Sequence, residues 1–179
     1  MFTKSFASSS VYKPIGPYSP AVKLGDFVYL SGQLPLDQAG QLVAGGIQEQ
    51  VYQVLKNMEA ILTEMKLEMR HIVKTTVFLT DLNDFQAMNE IYATYFSDPY
   101  PARSTVQVVT LAKGAKIEIE AIVIDTLVYE QQVAHQESDA CGCGDECSCG
   151  ESCSCENDEN GQGGEGEENT SCTDGTCCG

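Results

Sequence analysis

After residue 138 this chain stops being able to bury anything. The 41 residues that follow contain all nine cysteines, from Cys141 to Cys178, with 11 acids and no Lys or Arg. Of the formal charge of -16, this stretch carries -11, while residues 1–138 set ten Lys and Arg against 15 acids for a net of -5. A segment with almost no apolar side chains cannot offset the entropy of ordering its backbone, and is expected to be disordered unless something staples it. Any core must therefore come from the first 138 residues. They suffice for one domain and contain no Cys, so no disulfide is needed to hold it. We divide the chain into an ordered domain at 1–130, a linker at 131–140 and an acidic Cys/Gly-rich tail at 141–179.

The same partition excludes some classes of function. An acidic body without a basic stripe argues against nucleic acid, because phosphate binding rests on clustered Lys and Arg. The start of the chain has Lys4 and Ser8, Ser9 and Ser10 but no apolar run of secretory length. No segment approaches the ~20 apolar residues of a membrane span. A cytoplasmic location is the expectation.

Within the body, hydrophobic spacing predicts the elements. Residues 14–36 are punctuated by Pro14, Gly16, Pro17, Pro20, Gly25, Gly32 and Pro35 around a strand at Phe27 to Leu30. After Gly45 and Gly46, Val51, Val54, Leu55, Met58, Ile61, Leu62 and Met65 follow the spacing of an amphipathic helix. Ile72 to Leu79, rich in β-branched residues, suits a strand. Asp81 or Asn83 can cap a second helix to about Phe96, with Phe85, Met88, Ile91, Tyr92 and Tyr95 as its buried stripe. Ser104 to Leu111 and Ile117 to Leu127 read as two last strands, paired as a hairpin through Lys113 and Gly114.

This order predicts an α+β layer, both helices on one face of a mixed sheet. On the last strand Ile117, Ile119, Ala121 and Val123 share one face, yet Ile122 and Ile124 make the other apolar too. A strand apolar on both faces expects cover on both. We expect a homo-oligomer that buries the open face.

The chain has two arginines, Arg70 and Arg103. Arg103 follows Pro101 and Ala102 at the entry to a strand. Its planar fork of donors matches a carboxylate bidentately, as Lys cannot. On the residues alone, a small-molecule carboxylate site and a salt bridge to an acid of the neighbouring strand are both open. Glu118 and Glu120 point the same way on the last strand, so alternation does not choose between them. His71 is expected at the surface at a strand start, and neither it nor His135 has a partner at useful spacing.

Several separate motifs then resemble one family. They are Gly16-Pro17-Tyr18-Ser19-Pro20-Ala21, Ser31-Gly32-Gln33-Leu34-Pro35, Val73 to Leu79, Asp81-Leu82-Asn83-Asp84-Phe85, Pro101-Ala102-Arg103-Ser104 and Lys116 to Ile122. In colinear order over about residues 3–128, they are similar to the Rid (YjgF-like) imine/enamine deaminases. The resemblance implies a chorismate-mutase-like subunit, a homotrimer with clefts between subunits, and hydrolysis of 2-aminoacrylate and related 2-imino acids to 2-keto acids and ammonia. It implies no cofactor for that chemistry. Carried over by position, Arg103 is the carboxylate-binding arginine and Glu118 the glutamate that positions water, the catalytic pair. Tyr18, Ser31, Gly32 and Asn89 fall on substrate-lining positions. So does Thr105, where many members have Cys, and Pro99-Tyr100-Pro101 also departs from the usual pattern.

In the tail, Cys141, Cys143, Cys147, Cys149, Cys153 and Cys155 form three Cys-x-Cys pairs, followed by Cys172, Cys177 and Cys178. An odd count in a reducing compartment disfavours disulfides. Adjacent thiolates chelate or bridge soft metals, so Zn²⁺, Cu(I) or an Fe-S centre is compatible. The pattern is similar to metallothionein-like tails in Cys-x-Cys density alone. A different class of function also fits: a non-catalytic trimer that binds a small ligand or acts as a chaperone-like scaffold, with a metal-storing tail. An acid beside the cation favours the enzyme.

Overall fold

The computed structural model describes the backbone of residues 3–139 and the side chains of residues 3–133. The expectations for the nine tail cysteines, and for the side chain of His135, lie outside these residues. Six strands form one mixed sheet: β1 (Thr3–Phe6), β2 (Ala21–Leu24), β3 (Phe27–Gln33), β4 (Ile72–Leu79), β5 (Ala102–Gln107) and β6 (Ile117–Ile124). Their spatial order is β1-β2-β3-β6-β4-β5. Only the β4 to β5 pairing is parallel, and α2 (Phe85–Tyr92) lies in the connection between them.

The sheet and two helices follow the expected α+β layering. In α1 (Ile47–Thr63), Val51, Val54, Leu55, Met58, Ile61 and Leu62 are fully buried, and the helix packs on β3, β6 and α2. The Gly46 amide donates to Glu49 Oε2 at 2.7 Å and closes its first turn. Two buried polar residues of α1 reach out to fix loops. Asn57 Nδ2 donates to the carbonyls of Leu34 and Leu36, at 3.1 and 3.0 Å, and Gln50 Oε1 accepts from the Lys116 amide at 2.8 Å. The Leu36 carbonyl is buried and would otherwise lack a partner.

The last two strands are not a hairpin. β4 runs between them, pairing parallel with β5 and antiparallel with β6. The Lys113–Gly114 loop therefore carries the chain across β4 instead of back along a neighbour. Local turn chemistry resembles a hairpin there, but register is decided by β4, whose alternate residues Thr75, Val77 and Leu79 are fully buried. The strands are also shorter than expected, ending at Gln107 and Ile124, and α2 ends at Tyr92 instead of near Phe96. Asp81 caps a single 3₁₀ turn ahead of α2, its Oδ1 accepting from the Asn83 amide at 2.9 Å.

Three elements have no counterpart in the sequence reading: β1, β2 and α3 (Leu127–Asp139). Val128, Tyr129 and Val133 of α3 are exposed, so it offers no apolar stripe to detect. Leu127 packs against the core at its start, and polar contacts hold the turn that follows. Arg70 grips Glu130 through two N–H donors at 2.9 and 3.0 Å, and the Tyr129 hydroxyl donates to Asp26 at 2.7 Å. This corrects the expectation for His71, which is buried beneath that contact. Its Nδ1 accepts from the Glu68 amide at 3.0 Å, and its Nε2 lies 3.5 Å from Glu130.

Ile117, Ile119, Ala121 and Val123 face the helices and are buried. The opposite face carries Phe27 and Tyr29, about half exposed, and the partly covered Ile122 and Ile124. Among the described residues, no helix is long and apolar enough to cross a membrane.

Candidate functional site

Arg103 sits on the edge strand β5, in register with Thr75 of β4. Parallel neighbours in register point to the same face, and Thr75 is buried against α2, where its Oγ1 lies 2.8 Å from the Tyr92 hydroxyl. Arg103 thus projects toward α2, whose residues Phe85, Asn89 and Tyr92 share one side at i, i+4 and i+7 spacing. Its Nη2 donates to Asn89 Oδ1 at 2.9 Å, and its Cζ lies 4.6 Å from the centroid of Tyr92 and 5.6 Å from that of Phe85. No carboxylate pairs with it among the described residues. The salt-bridge reading of Arg103 therefore does not hold among the described residues. Thr105 follows two residues along β5, on the same side, beside Val77.

Glu118 lies on the other face. It is the antiparallel partner of Phe78, which alternates with Val77 and Leu79. Its side chain crosses the backbone of Gly32, at a bulge in β3, so closely that a Cβ there would fall 1.8 Å from Oε1. That is a close approach only glycine allows. Burial pushes the Glu118 carboxyl above its ordinary range, and the nearby Glu120 charge adds to this. Among the described residues its carboxylate has no cation and no hydrogen-bond donor.

A cavity of about 430 Å³ opens beside Glu118, lined by Tyr12, Ile15, Tyr18, Ser31, Gly32 and Lys113 among others. Ser31 Oγ donates to the Ser19 carbonyl at 2.7 Å, which leaves its lone pairs as acceptors. The Tyr12 hydroxyl accepts from the Leu34 amide at 3.2 Å and holds the cleft wall. Lys113 adopts a left-handed backbone, φ 57°, and its Nζ donates to the Gly40 carbonyl at 2.6 Å, which ties the loop across the mouth.

The expected residues thus form two groups. Tyr18, Ser31, Gly32 and Glu118 gather in one cleft, and Arg103, Asn89 and Thr105 lie on the far side of the sheet. The expectation that the cation and the carboxylates stand on two paired strands is corrected, since β4 separates β5 from β6. One chain does not bring Arg103 and Glu118 together. Sequence reasoning missed Tyr12, Ile15 and Lys113 at the cleft, and assigned Phe85 and Tyr92 to the core alone. The spacing of Phe85, Asn89 and Tyr92 was the available signal. Among the described residues, no group of His, Cys, Asp and Glu is arranged to hold a metal.

A family model described as Endoribonuclease L-PSP matches residues 8–125. The human protein named 2-iminobutanoate/2-iminopropanoate deaminase is 50% identical over 111 residues, 62% of this chain and 81% of that relative. Two solved structures are similar over 68% of this chain and 98% of their own. RidA from an Antarctic Psychrobacter has a TM-score of 0.65 at 40% identity, and TdcF of E. coli with bound serine has 0.64 at 43%. The family match ends before α3 and the Cys-rich tail.

Proposed function

We propose that this chain, which belongs to the Rid (YjgF-like) family, hydrolyses reactive 2-imino and enamine acids to 2-keto acids and ammonia, as 2-iminobutanoate/2-iminopropanoate deaminases do. One observation carries the reading. Arg103 and Glu118 are each half-buried and each lack an opposite charge among the described residues, because the sheet stands between them. Leaving a partly buried charge unpaired is costly, and such groups are kept where a ligand completes them. Serine, the molecule bound in the E. coli TdcF structure, carries a carboxylate of the kind Arg103 is built to hold.

In this reading Arg103 binds the substrate carboxylate and orients an imine that is already electrophilic at C2. Glu118 takes a proton from water as its oxygen bonds C2 and passes it to the imine nitrogen, whose C=N π pair receives it. It then takes the hydroxyl proton of the resulting carbinolamine and passes it to the same nitrogen as the C2 carbonyl forms, the C–N bond breaks and ammonia leaves. General base help of this kind is typically worth ~10²- to 10⁴-fold. The Tyr18 and Ser31 oxygens face the same cavity and can orient the imine nitrogen. No cofactor enters the reaction. A ribonuclease reading, suggested by the description of the family model, fits poorly with a body of net charge -5 and no basic stripe.

Because the half-sites lie on opposite faces, a second copy must supply the missing half. The bare face with Phe27, Tyr29, Ile122 and Ile124 is the surface we expect that copy to cover, in a homotrimer with clefts between subunits. Arg103→Ala and Glu118→Gln are each expected to lose keto-acid and ammonia release from freshly generated 2-aminoacrylate while remaining assembled. Refolded together in equal amounts, they should recover about a quarter of wild-type activity, since random mixing makes about one cleft in four intact. No recovery would defeat the shared cleft, and full activity of Arg103→Ala would defeat the assignment.

The tail supports a second assignment, a thiolate site for a soft metal such as Zn²⁺ or Cu(I) in a reducing, cytoplasmic setting. Three Cys-x-Cys pairs at one spacing favour it, as do acids that attract cations. Metal analysis of full-length protein purified under reducing conditions tests it. Stoichiometric metal lost on truncation at residue 138 supports the site, and none retained refutes it. A non-catalytic, ligand-binding trimer with such a tail is the reading left if the imine assay is negative.

A further inference from the structure

We infer that Tyr92 is a positioning residue for Arg103, holding the guanidinium plane ready for the substrate carboxylate. The inference rests on the deaminase reading above and names a part of that site which the residue-by-residue carry-over does not include. An arginine on an edge strand has no neighbour on one side, and its long side chain has many rotamers to lose. Something must hold it if the carboxylate is to meet a fixed fork.

Asn89 holds one donor, on Nη2, and leaves the other N–H donors free among the described residues. Tyr92 supplies the ring over which the guanidinium sits, its centroid 4.6 Å from Cζ against 5.6 Å for Phe85. The ring is fixed from two further directions. Its hydroxyl lies 2.8 Å from Thr75 Oγ1, and its face stacks on Phe96 at 4.4 Å and 26°. Thr75 is fully buried and is also the register partner of Arg103. The hydroxyl that orients the ring is thus tied to the strand position beside the arginine. Asn89 and Tyr92 together constrain the guanidinium, which presents the remaining donors in one direction to a planar 2-imino acid.

The test is steady-state kinetics on the full-length assembled protein with two substrates, a 2-imino acid and its carboxamide, which lacks the carboxylate. Tyr92→Leu is expected to raise KM for the acid about tenfold, with kcat within threefold of wild type, and to leave the carboxamide unchanged. Binding lost equally from ground and transition states gives that split. Tyr92→Phe, which keeps the ring, should restore KM to within about threefold. Should Tyr92→Leu fail to assemble, Thr75→Val, which frees the ring without changing volume greatly, should raise KM for the acid about threefold. Wild-type KM in Tyr92→Leu or, where that variant fails, in Thr75→Val overturns the inference, as does an equal loss on both substrates. If wild-type protein turns over neither substrate, the deaminase reading fails instead.

Discussion

Gly32→Ala separates the site from the fold more cleanly than removal of a charged residue. A Cβ at position 32 would lie 1.8 Å from Glu118 Oε1, 2.7 Å from Cδ and 3.0 Å from Cγ. The atoms it meets are the far end of a side chain, so Glu118 can swing into the cavity of about 430 Å³ beside it. An off-rotamer side chain costs 0.5–1.5 kcal/mol, so we expect a stability loss of ~1 kcal/mol in urea unfolding. The activity loss should be far larger. If Glu118 is the general base proposed above, displacing its carboxylate forfeits ~10²- to 10⁴-fold in kcat. In a Glu118→Gln background the same substitution should cost nothing further in kcat, because both changes remove one function. Gly25→Ala is the control: at φ 60° it strains the β2–β3 turn by ~1 kcal/mol, with nothing within 4 Å of the new Cβ and no change in kcat. Wild-type kcat in Gly32→Ala would refute the requirement for a Glu118 carboxylate laid across Gly32.

Glu118 also sets a pH dependence of stability. Its folded-state value is raised above an unfolded value near 4.5, so the folded chain holds the proton more tightly. Stability is therefore greatest below that value and declines as pH rises through the raised one. Urea unfolding of Glu118→Gln from pH 4 to 8 should lack this decline. Glu130 works in the opposite sense: Arg70, and then Thr126, hold its carboxyl down to about 2, so the docking of α3 should weaken only as pH falls below 4.5. Amide protection factors over residues 127–133 are expected to fall in that acid range, and Arg70→Ala should show the lower protection already at neutral pH. Asn57→Ala leaves the buried Leu36 carbonyl without its donor, a loss of ~1–3 kcal/mol that thermal unfolding would register.

The helices and buried strands were legible because their signals are local. The stripe from Val51 to Leu62 and the alternation of Ile117, Ile119, Ala121 and Val123 each follow one period, and burial respects both. The neighbours of a strand are a different kind of fact. Lys113 and Gly114 form a loop whether the chain turns back on itself or crosses a strand, and only the long-range pairing of β4 separates the two outcomes. β1 and β2 are four residues each and sit among turn formers, below the length at which alternation can be counted. α3 escaped for a related reason, as Arg70, Asp26 and Tyr129 hold it through contacts far apart in sequence. His71 was misread in consequence, since its cover comes from that helix.

The separation of Arg103 from Glu118 bears on why the site can exist at all. Were the two on paired strands, as the sequence suggested, they would neutralise each other, and a substrate carboxylate would have to displace an ion pair already made. Placing them on opposite faces of the sheet leaves each charge poised. Arg103 is held by a neutral amide and two rings, none of which competes with a carboxylate for charge. Glu118 keeps a raised affinity for protons because burial, and then the Glu120 charge, disfavour its ionised form, and a base of raised affinity is the better acceptor for a proton from water. On the proposed shared cleft the cost is that one chain holds only halves, so activity would be contingent on assembly. It follows that dilution below the dissociation threshold of the assembly should remove keto-acid release without unfolding the subunit. Activity that stays proportional to protein concentration in a demonstrably monomeric sample would rule out a cleft shared between copies.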